Sequence, residues 1–378
     1  MQISLLTKRL FYGRIKKADT KGQVLSMPSN NKPTRAGREA QIDNTSANLI
    51  IVILIAVLLM LVILASYLTI TVIARSKSPE ADQGQVDTNT DQGDHPFKVD
   101  GITVNMPKAD ENTLAIDSGS ISSSNALLYD VTANEIVASR LGEELIYPAS
   151  MTKVMSLIVI VENLKSENAL NETFTVTQEM YDRKVAEGHS GDFKTVGETM
   201  TVKDAIYAFI LDSDGMMGIG LAQYIAGSES VFVNLMNEKA KEMGLEKTNF
   251  LNCTGIHHSY HYTTCRDMAT IMAYAMQNPL CAEVLSREAY KTTTSVYTSG
   301  ITFYHDLLVT RFENHPVRLN TVEIVAGKTG WTGSASGYCV VSYAKGNNGH
   351  SYILVTAGAP QKFNEIDDLQ TLYNQFAK

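Results

Sequence analysis

The stretch Ile146-Tyr147-Pro148-Ala149-Ser150-Met151-Thr152-Lys153-Val154-Met155-Ser156-Leu157 sets a serine three residues ahead of a lysine, and both face an otherwise apolar segment. Pro148 lies just upstream, and the run that continues through Ile158, Val159, Ile160 and Val161 is apolar enough for a buried helix. Ser150 is therefore expected at the helix N-terminal end, where residues i and i+3 share a face with Cβ atoms about 5–6 Å apart. An ammonium held in apolar surroundings near a helix N-terminus has its charged form disfavoured by desolvation and by the helix dipole. Its pKa falls, and Lys153 becomes a base able to activate Ser150 as a nucleophile. The spacing alone is a weak signal, because an N-cap serine followed by a snorkelling lysine has the same pattern.

Outward from this stretch, the chain is large enough for a sizeable core. Residues 44–74 carry no charged side chain, and Leu49 to Ala65 is unbroken apolar sequence. A bilayer span needs about 20 such residues, so residues 48–74 are expected to be a retained transmembrane helix. Residues 1–43 hold nine Lys or Arg against three acids, which places the basic tail, 1–47, in the cytoplasm and the remainder outside. Taking that +6 from the overall −8 leaves −14 for the remainder. An acidic external body argues against a nucleic-acid partner.

Residues 75–109 are expected to form a flexible linker, being rich in Asp, Gln, Ser, Gly and Asn up to Asp100. From residue 110 to residue 378 alternating strands and amphipathic helices suggest one domain. Ala126–Val131 with Glu135–Ala138, and Tyr338–Tyr343 with Tyr352–Ala357, read as two antiparallel hairpins. Between them, one helix starts near Ser228 and stops near Gly244, and another takes Thr264 as its N-cap and ends before Pro279. The expected fold is α+β, an antiparallel sheet flanked by helices and carrying a helical insertion.

Two further elements accompany Ser150 and Lys153. Val325-Ala326-Gly327-Lys328-Thr329-Gly330-Trp331-Thr332 precedes the C-terminal hairpin, and Lys-Thr-Gly on a strand edge offers a cation, a hydroxyl and open backbone to a carboxylate-bearing substrate. Leu211-Asp212-Ser213-Asp214-Gly215 closes a helical pattern between them. With these three in order, the chain from about Ala126 onward resembles the serine DD-carboxypeptidases, the low-molecular-mass penicillin-binding proteins of the β-lactamase-like superfamily. Gln223–Ser228, Met236–Ala240, Thr254–His257, His261–Thr264 and Gly337–Cys339 also look like that family.

The resemblance implies that Ser150 attacks the carbonyl of a terminal D-Ala-D-Ala bond in a peptidoglycan stem peptide, with Lys153 as base and Ser213 relaying a proton to the leaving amine. Lys328 and Thr329 would hold the terminal carboxylate, with Gly330, Trp331 and Thr332 completing the substrate edge. The backbone N–H groups of Ser150 and Trp331 would form the oxyanion hole. β-Lactams would acylate the same serine, and no metal or organic cofactor is called for. Family members often carry a second β-rich domain and a C-terminal amphipathic anchor. Neither is evident in this sequence, whose last strand is followed by one short helix-like segment, Glu365–Ala377, so anchoring is expected from the front.

One position departs. The family's middle motif commonly ends in Asn, where this chain has Gly215, so the amide that would bind Lys153 and the substrate is missing. Either another group fills the gap in a working enzyme, the reading favoured here, or turnover is reduced and the protein mainly binds cell wall. Asp214 is a poor substitute, since a carboxylate beside Lys153 would raise its pKa. If the amide limits turnover, Gly215→Asn should raise it. A β-lactamase-like hydrolase is a third reading, but it needs a second base, and no Glu-x-x-x-Asn element is evident. Cys253, His257, His258, His261 and Cys265 fall within thirteen residues, yet fit no standard zinc spacing. A Cys253–Cys265 disulfide is conceivable outside the cell, but the four cysteines read better as reduced packing residues.

Overall fold

The computed structural model describes residues 95–104, 106 and 108–378, together with Met60. The basic tail, the expected transmembrane segment apart from Met60, and the linker up to residue 94 lie outside the described residues. The chain divides after Thr90, and Asp91–Lys378 forms a compact unit. Among the described residues no helix is long and apolar enough to cross a membrane.

The unit is built on a six-stranded sheet: β1 (Leu114–Ala115), β2 (Asn125–Asp130), β3 (Glu135–Arg140), β4 (Val322–Trp331), β5 (Tyr338–Gly346) and β6 (Ser351–Ala359), in the order β1-β3-β2-β6-β5-β4. Both expected hairpins are present, and β2 pairs antiparallel with β6, so the two ends of the domain meet in mid-sheet. The sheet is mixed rather than wholly antiparallel, because β1 runs parallel to β3. The chain enters at the edge as β1, crosses to the interior position of β2 and returns between them as β3, so that β1 and β3 point the same way.

Alternation along the strands divides the core in two. Leu127, Tyr129, Val341, Ile353 and Val355 face the helical side. Ala126, Leu128, Val340, Ala344 and Leu354 face Ile366, Leu369, Leu372 and Tyr373 of the last helix, α8 (Asn364–Phe376). With both faces covered, β2 is buried along its whole length.

The longer helices among the other described residues are α1 (Thr152–Glu162), α2 (Gln178–Glu187), α3 (Val202–Leu211), α4 (Gly215–Ala226), α5 (Glu229–Glu242), α6 (Cys265–Ala275) and α7 (Pro279–Ser286). Ser228 and Thr264 cap α5 and α6 through their side-chain oxygens, as their positions suggest. Helix α1 is buried on every side, the condition of a helix apolar all round. Its few polar groups must therefore find partners. Glu162 pairs with Lys239 at 2.7 Å and accepts from Tyr274 at 2.6 Å. Ser156 donates to the Cys253 carbonyl at 2.7 Å, and Thr152 lies 2.8 Å from His261 Nε2.

Residues 95–106, assigned to the linker on composition, dock onto the helices where they are described. Phe97, Ile102 and Val104 pack against the main core and Met106 is buried in it. Asn278 donates to the Phe97 carbonyl at 2.7 Å, and Arg266 donates to that of Met106. These four apolar side chains and two hydrogen bonds tie the stretch to the unit. All four cysteines are free and buried.

Candidate active site

Ser150 sits in a single 3-10 turn, Ala149–Met151, that runs directly into α1. Ala149 holds φ 45°, a left-handed conformation costly for a residue with a Cβ, and it persists because the turn is clamped from both sides. On one side Gly255, at φ 91°, comes so close that an added Cβ would lie 1.8 Å from the Ala149 carbonyl oxygen. The Asn252 side chain shapes that loop by accepting the N–H groups of Gly255 at 2.7 Å and Ile256 at 3.1 Å. On the other side Gly330 of β4 leaves only 3.0 Å between a built Cβ and both Ala149 Cβ and the Pro148 carbonyl oxygen. A larger residue at either glycine would push Ser150 off its position.

Lys153 Nζ lies 2.9 Å from Ser150 Oγ and 3.0 Å from Ser213 Oγ. The lysine is 2% exposed. Burial, followed by the charge of Lys328, lowers its pKa to about 7, against a weaker opposing pull from Cys253, Asp214 and Asp212. Ser213 follows α3 with φ 58°, again in the left-handed region, and this turns its hydroxyl toward the amine. Backbone strain at the residue before Ser150 and at Ser213 is of the kind that tertiary packing sustains at functional sites.

Asp214 turns away. Its carboxylate caps α4 by accepting the N–H groups of Met216 at 2.9 Å and Met217 at 3.3 Å, and Lys184 stands 3.8 Å from it. Burial raises Asp214 to about 6. Burial, with Asp192 and Asp214 nearby, raises Asp212 to about 7. Among the described residues the Lys153 amine thus hydrogen-bonds two hydroxyls and no carboxylate. The space beside Gly215, where an asparagine side chain was expected to improve the site, is filled by the His189 ring: a Cβ on Gly215 would meet His189 Nδ1 at 2.4 Å. Gly215→Asn is therefore not a simple repair.

The Lys-Thr-Gly element ends strand β4. Lys328 is buried, and burial lowers it to about 8, with Asp306 pulling the other way. Thr329 donates its hydroxyl to the Asp306 carboxylate, which also takes Arg311 Nε at 3.2 Å. Burial pushes Asp306 up, but Arg311 and Lys328 hold it below the usual carboxylate range. Arg311 also reaches Glu365 of α8 at 2.9 Å. Sequence reasoning missed Asp306 and Arg311, since nothing in their local pattern marks them as neighbours of a strand more than ten residues later. In this state the Thr329 hydroxyl is engaged by Asp306.

Ser150, Lys153, His189, Gly255, Trp331 and Thr332 are among the residues lining one cleft of about 430 Å³. Trp331 is half exposed and stacks on Tyr338 at a ring separation of 5.8 Å. Ser213 joins the cluster through Lys153, and Lys328 and Thr329, both buried on β4, adjoin it, the Lys328 charge acting on Lys153. The histidines of the His257–His261 stretch have other partners. His261 Nδ1 accepts from Leu251 N–H at 3.2 Å, His258 Nδ1 from Tyr260 N–H at 3.1 Å, and His257 meets the Tyr147 ring edge-on at 4.5 Å.

The profile of the family described as D-alanyl-D-alanine carboxypeptidase matches residues 110–361. The chain is 31% identical over 245 residues to the D-alanyl-D-alanine carboxypeptidase DacF of Bacillus subtilis, covering 63% of this chain and 58% of that protein. It is 27% identical to the D-alanyl-D-alanine endopeptidase of Escherichia coli, covering 70% and 82% respectively. Among solved structures, penicillin binding protein 5 from Haemophilus influenzae has a TM-score of 0.58 at 25% identity, covering 67% of this chain and 70% of that one. The Streptomyces K15 DD-transpeptidase has a TM-score of 0.59 at 22% identity, covering 67% and 96%, a likeness of fold.

Proposed function

The chain belongs to the D-alanyl-D-alanine carboxypeptidase family, and from that premise we propose that it is a working serine DD-carboxypeptidase that removes the terminal D-Ala of peptidoglycan stem peptides. The observation that carries this reading is the buried Lys153 amine within hydrogen-bonding distance of both Ser150 and Ser213, with a pKa lowered to about 7. A lysine so placed is neutral in a substantial fraction of molecules near neutral pH.

The lone pair of neutral Lys153 takes the proton of Ser150 as Oγ attacks the carbonyl carbon of the D-Ala-D-Ala bond. The oxygen of the tetrahedral adduct gathers negative charge, which the N–H groups of Ser150 and Trp331 stabilise. As the C–N bond breaks, the proton passes from Lys153 through Ser213 to the departing amine, and D-Ala leaves. Water, deprotonated by Lys153, then attacks the ester carbonyl, the C–Oγ bond breaks, Ser150 Oγ takes the proton back from Lys153, and the remaining proton of the water is lost to solvent from the shortened peptide's new carboxylic acid. Lys328 on β4 supplies positive charge that attracts the substrate's terminal carboxylate. Binding there would release the Thr329 hydroxyl from Asp306 so that it can donate to the substrate.

The uncharged span at 48–74, preceded by a basic segment, supports single-pass anchoring in the cytoplasmic membrane with the catalytic unit outside. Protease digestion of the catalytic unit in spheroplasts, with the cytoplasm sealed, checks this placement. The activity is tested by measuring D-alanine released from a pentapeptide ending in D-Ala-D-Ala. Release by the native protein and none by Ser150→Ala supports it. Tight peptide binding without release would make the chain a cell-wall binding protein instead.

A further inference from the structure

Glycine at 215 supplies no side chain to the cleft, yet the place where one would project is filled by the His189 ring, with Nδ1 2.4 Å and Cγ 2.6 Å from a built Cβ. Local sequence puts the ring there. Helix α2 ends at Glu187, Gly188 takes φ 69° to reverse the chain, and the next residues are laced to the turn that bears Ser213. Gly215 N–H donates to the Ser190 carbonyl at 3.3 Å, Ser190 Oγ donates to the Ser213 carbonyl at 3.1 Å, and Asp192 N–H donates to Asp212 at 3.1 Å.

The ring is also oriented. His189 Nε2 lies 2.7 Å from Glu187 Oε2, and Glu187 is gripped by Arg183 at 2.8 Å. Arg183 in turn meets Glu229 at 2.6 Å, whose other oxygen accepts the Cys253 N–H at 2.9 Å. The His189 side chain is 4% exposed. With Nε2–H donated to a carboxylate, Nδ1 presents a lone pair, and it has no hydrogen-bond partner among the described residues. His189 lines the same cleft as Ser150 and Lys153. Burial lowers its pKa, Glu187 opposes by favouring the charged ring and the Lys153 charge adds to the lowering; the net shift downward favours the neutral ring. A neutral acceptor avoids the fault of a carboxylate at this place, which would recharge Lys153.

We infer that His189, oriented by Glu187, supplies the positioning contact that Gly215 cannot, its Nδ1 accepting a backbone amide N–H of the peptide substrate beside Ser150. This rests on the carboxypeptidase reading above. It makes Gly215 and His189 one unit: the glycine is small because the imidazole occupies its space.

The test compares D-alanine release and labelled-penicillin acylation in the native protein and four variants. His189→Leu, which keeps bulk and removes the acceptor, should lose roughly a hundredfold in kcat/KM while melting near the native temperature. Gly215→Asn alone should also lose activity through collision with the ring. The swap His189→Ala/Gly215→Asn should recover at least roughly tenfold over His189→Ala, a non-additivity expected only of residues sharing one space and role. His189→Leu at native activity, or a swap no better than His189→Ala, overturns the inference. Should His189→Leu unfold, His189→Asn, with an acceptor near the Nδ1 position, must retain activity that His189→Ala loses, and equal loss in both also overturns it. A native protein that releases no D-alanine brings down the carboxypeptidase reading and this inference together, whereas an active native protein matched by His189→Leu removes this inference alone.

Discussion

Arg311 joins two parts of the fold by holding Asp306 at 3.2 Å and Glu365 at 2.9 Å, so the C-terminal helix α8 is tied to the carboxylate that engages Thr329. Both Glu365 and Arg311 are largely shielded, with side chains 1% and 12% exposed. Removing one member of such a buried pair leaves the other uncompensated. Arg311→Met is expected to cost about 3 kcal/mol of stability and to weaken peptide binding by freeing Asp306 to draw on Lys328 more strongly. Urea unfolding checks the first part, and an unchanged midpoint would contradict it.

Lys153 is a stability cost as well as a candidate base. Its pKa falls from 10.5 to about 7 on folding, so the unfolded chain binds the proton more tightly. The sign follows from linkage: the stability associated with the neutral amine is fully present above 10.5 and is lost as the pH falls toward 7. Lys153→Met should abolish acylation of Ser150 and raise stability at pH 7 by about 2 kcal/mol. Thermal melts of the two proteins at pH 7 and pH 10 check this, with the gap between them narrowing at the higher pH.

The rate of D-alanine release should rise with pH through about 7, as Lys153 becomes neutral, and decline above about 8, as Lys328 loses the charge that draws the substrate carboxylate. Lys328→Arg, permanently charged, should flatten the alkaline decline even if its absolute rate is lower. A kcat/KM profile of both proteins decides it, and an alkaline limb identical in the two would contradict the role of Lys328.

Acid lability should trace in part to His305. The ring is buried, its Nδ1 accepts the N–H groups of Leu307 and Leu308 at 3.2 and 3.3 Å, and burial lowers its pKa from 6.5 to about 4. A depressed group contributes stability above its unfolded pKa that is lost as the pH falls from 6.5 to 4. His305→Asn keeps an acceptor for the turn and removes the titration, so the drop in melting temperature between pH 7 and pH 4 should shrink.

The parts of this molecule legible in the sequence are those governed by local rules. Alternation located the two hairpins, capping residues located α5 and α6, and the helical spacing from Ser150 placed Lys153 beside it. Lys328 became visible only as part of a strand-edge motif, and its electrostatic effect on Lys153 needs two segments that meet in space. His189 was harder still. Gly188-His189-Ser190-Gly191-Asp192 reads as an ordinary polar loop, and only the fold reveals that it leans on Gly215. The parallel edge strand β1 escaped notice because two residues carry no period. Docking of residues 95–106 escaped because composition averages over the few apolar side chains that do the packing.

The most direct measurement of the central claim is the rate of penicillin acylation, followed by intact mass and peptide mapping from pH 5 to pH 9, in the native protein, Ser150→Ala and Lys153→Met. The account predicts one adduct, on Ser150, forming at a rate that climbs through about pH 7, with both variants silent. An adduct on any other residue, or a rate unaffected by pH or by loss of Lys153, would contradict it.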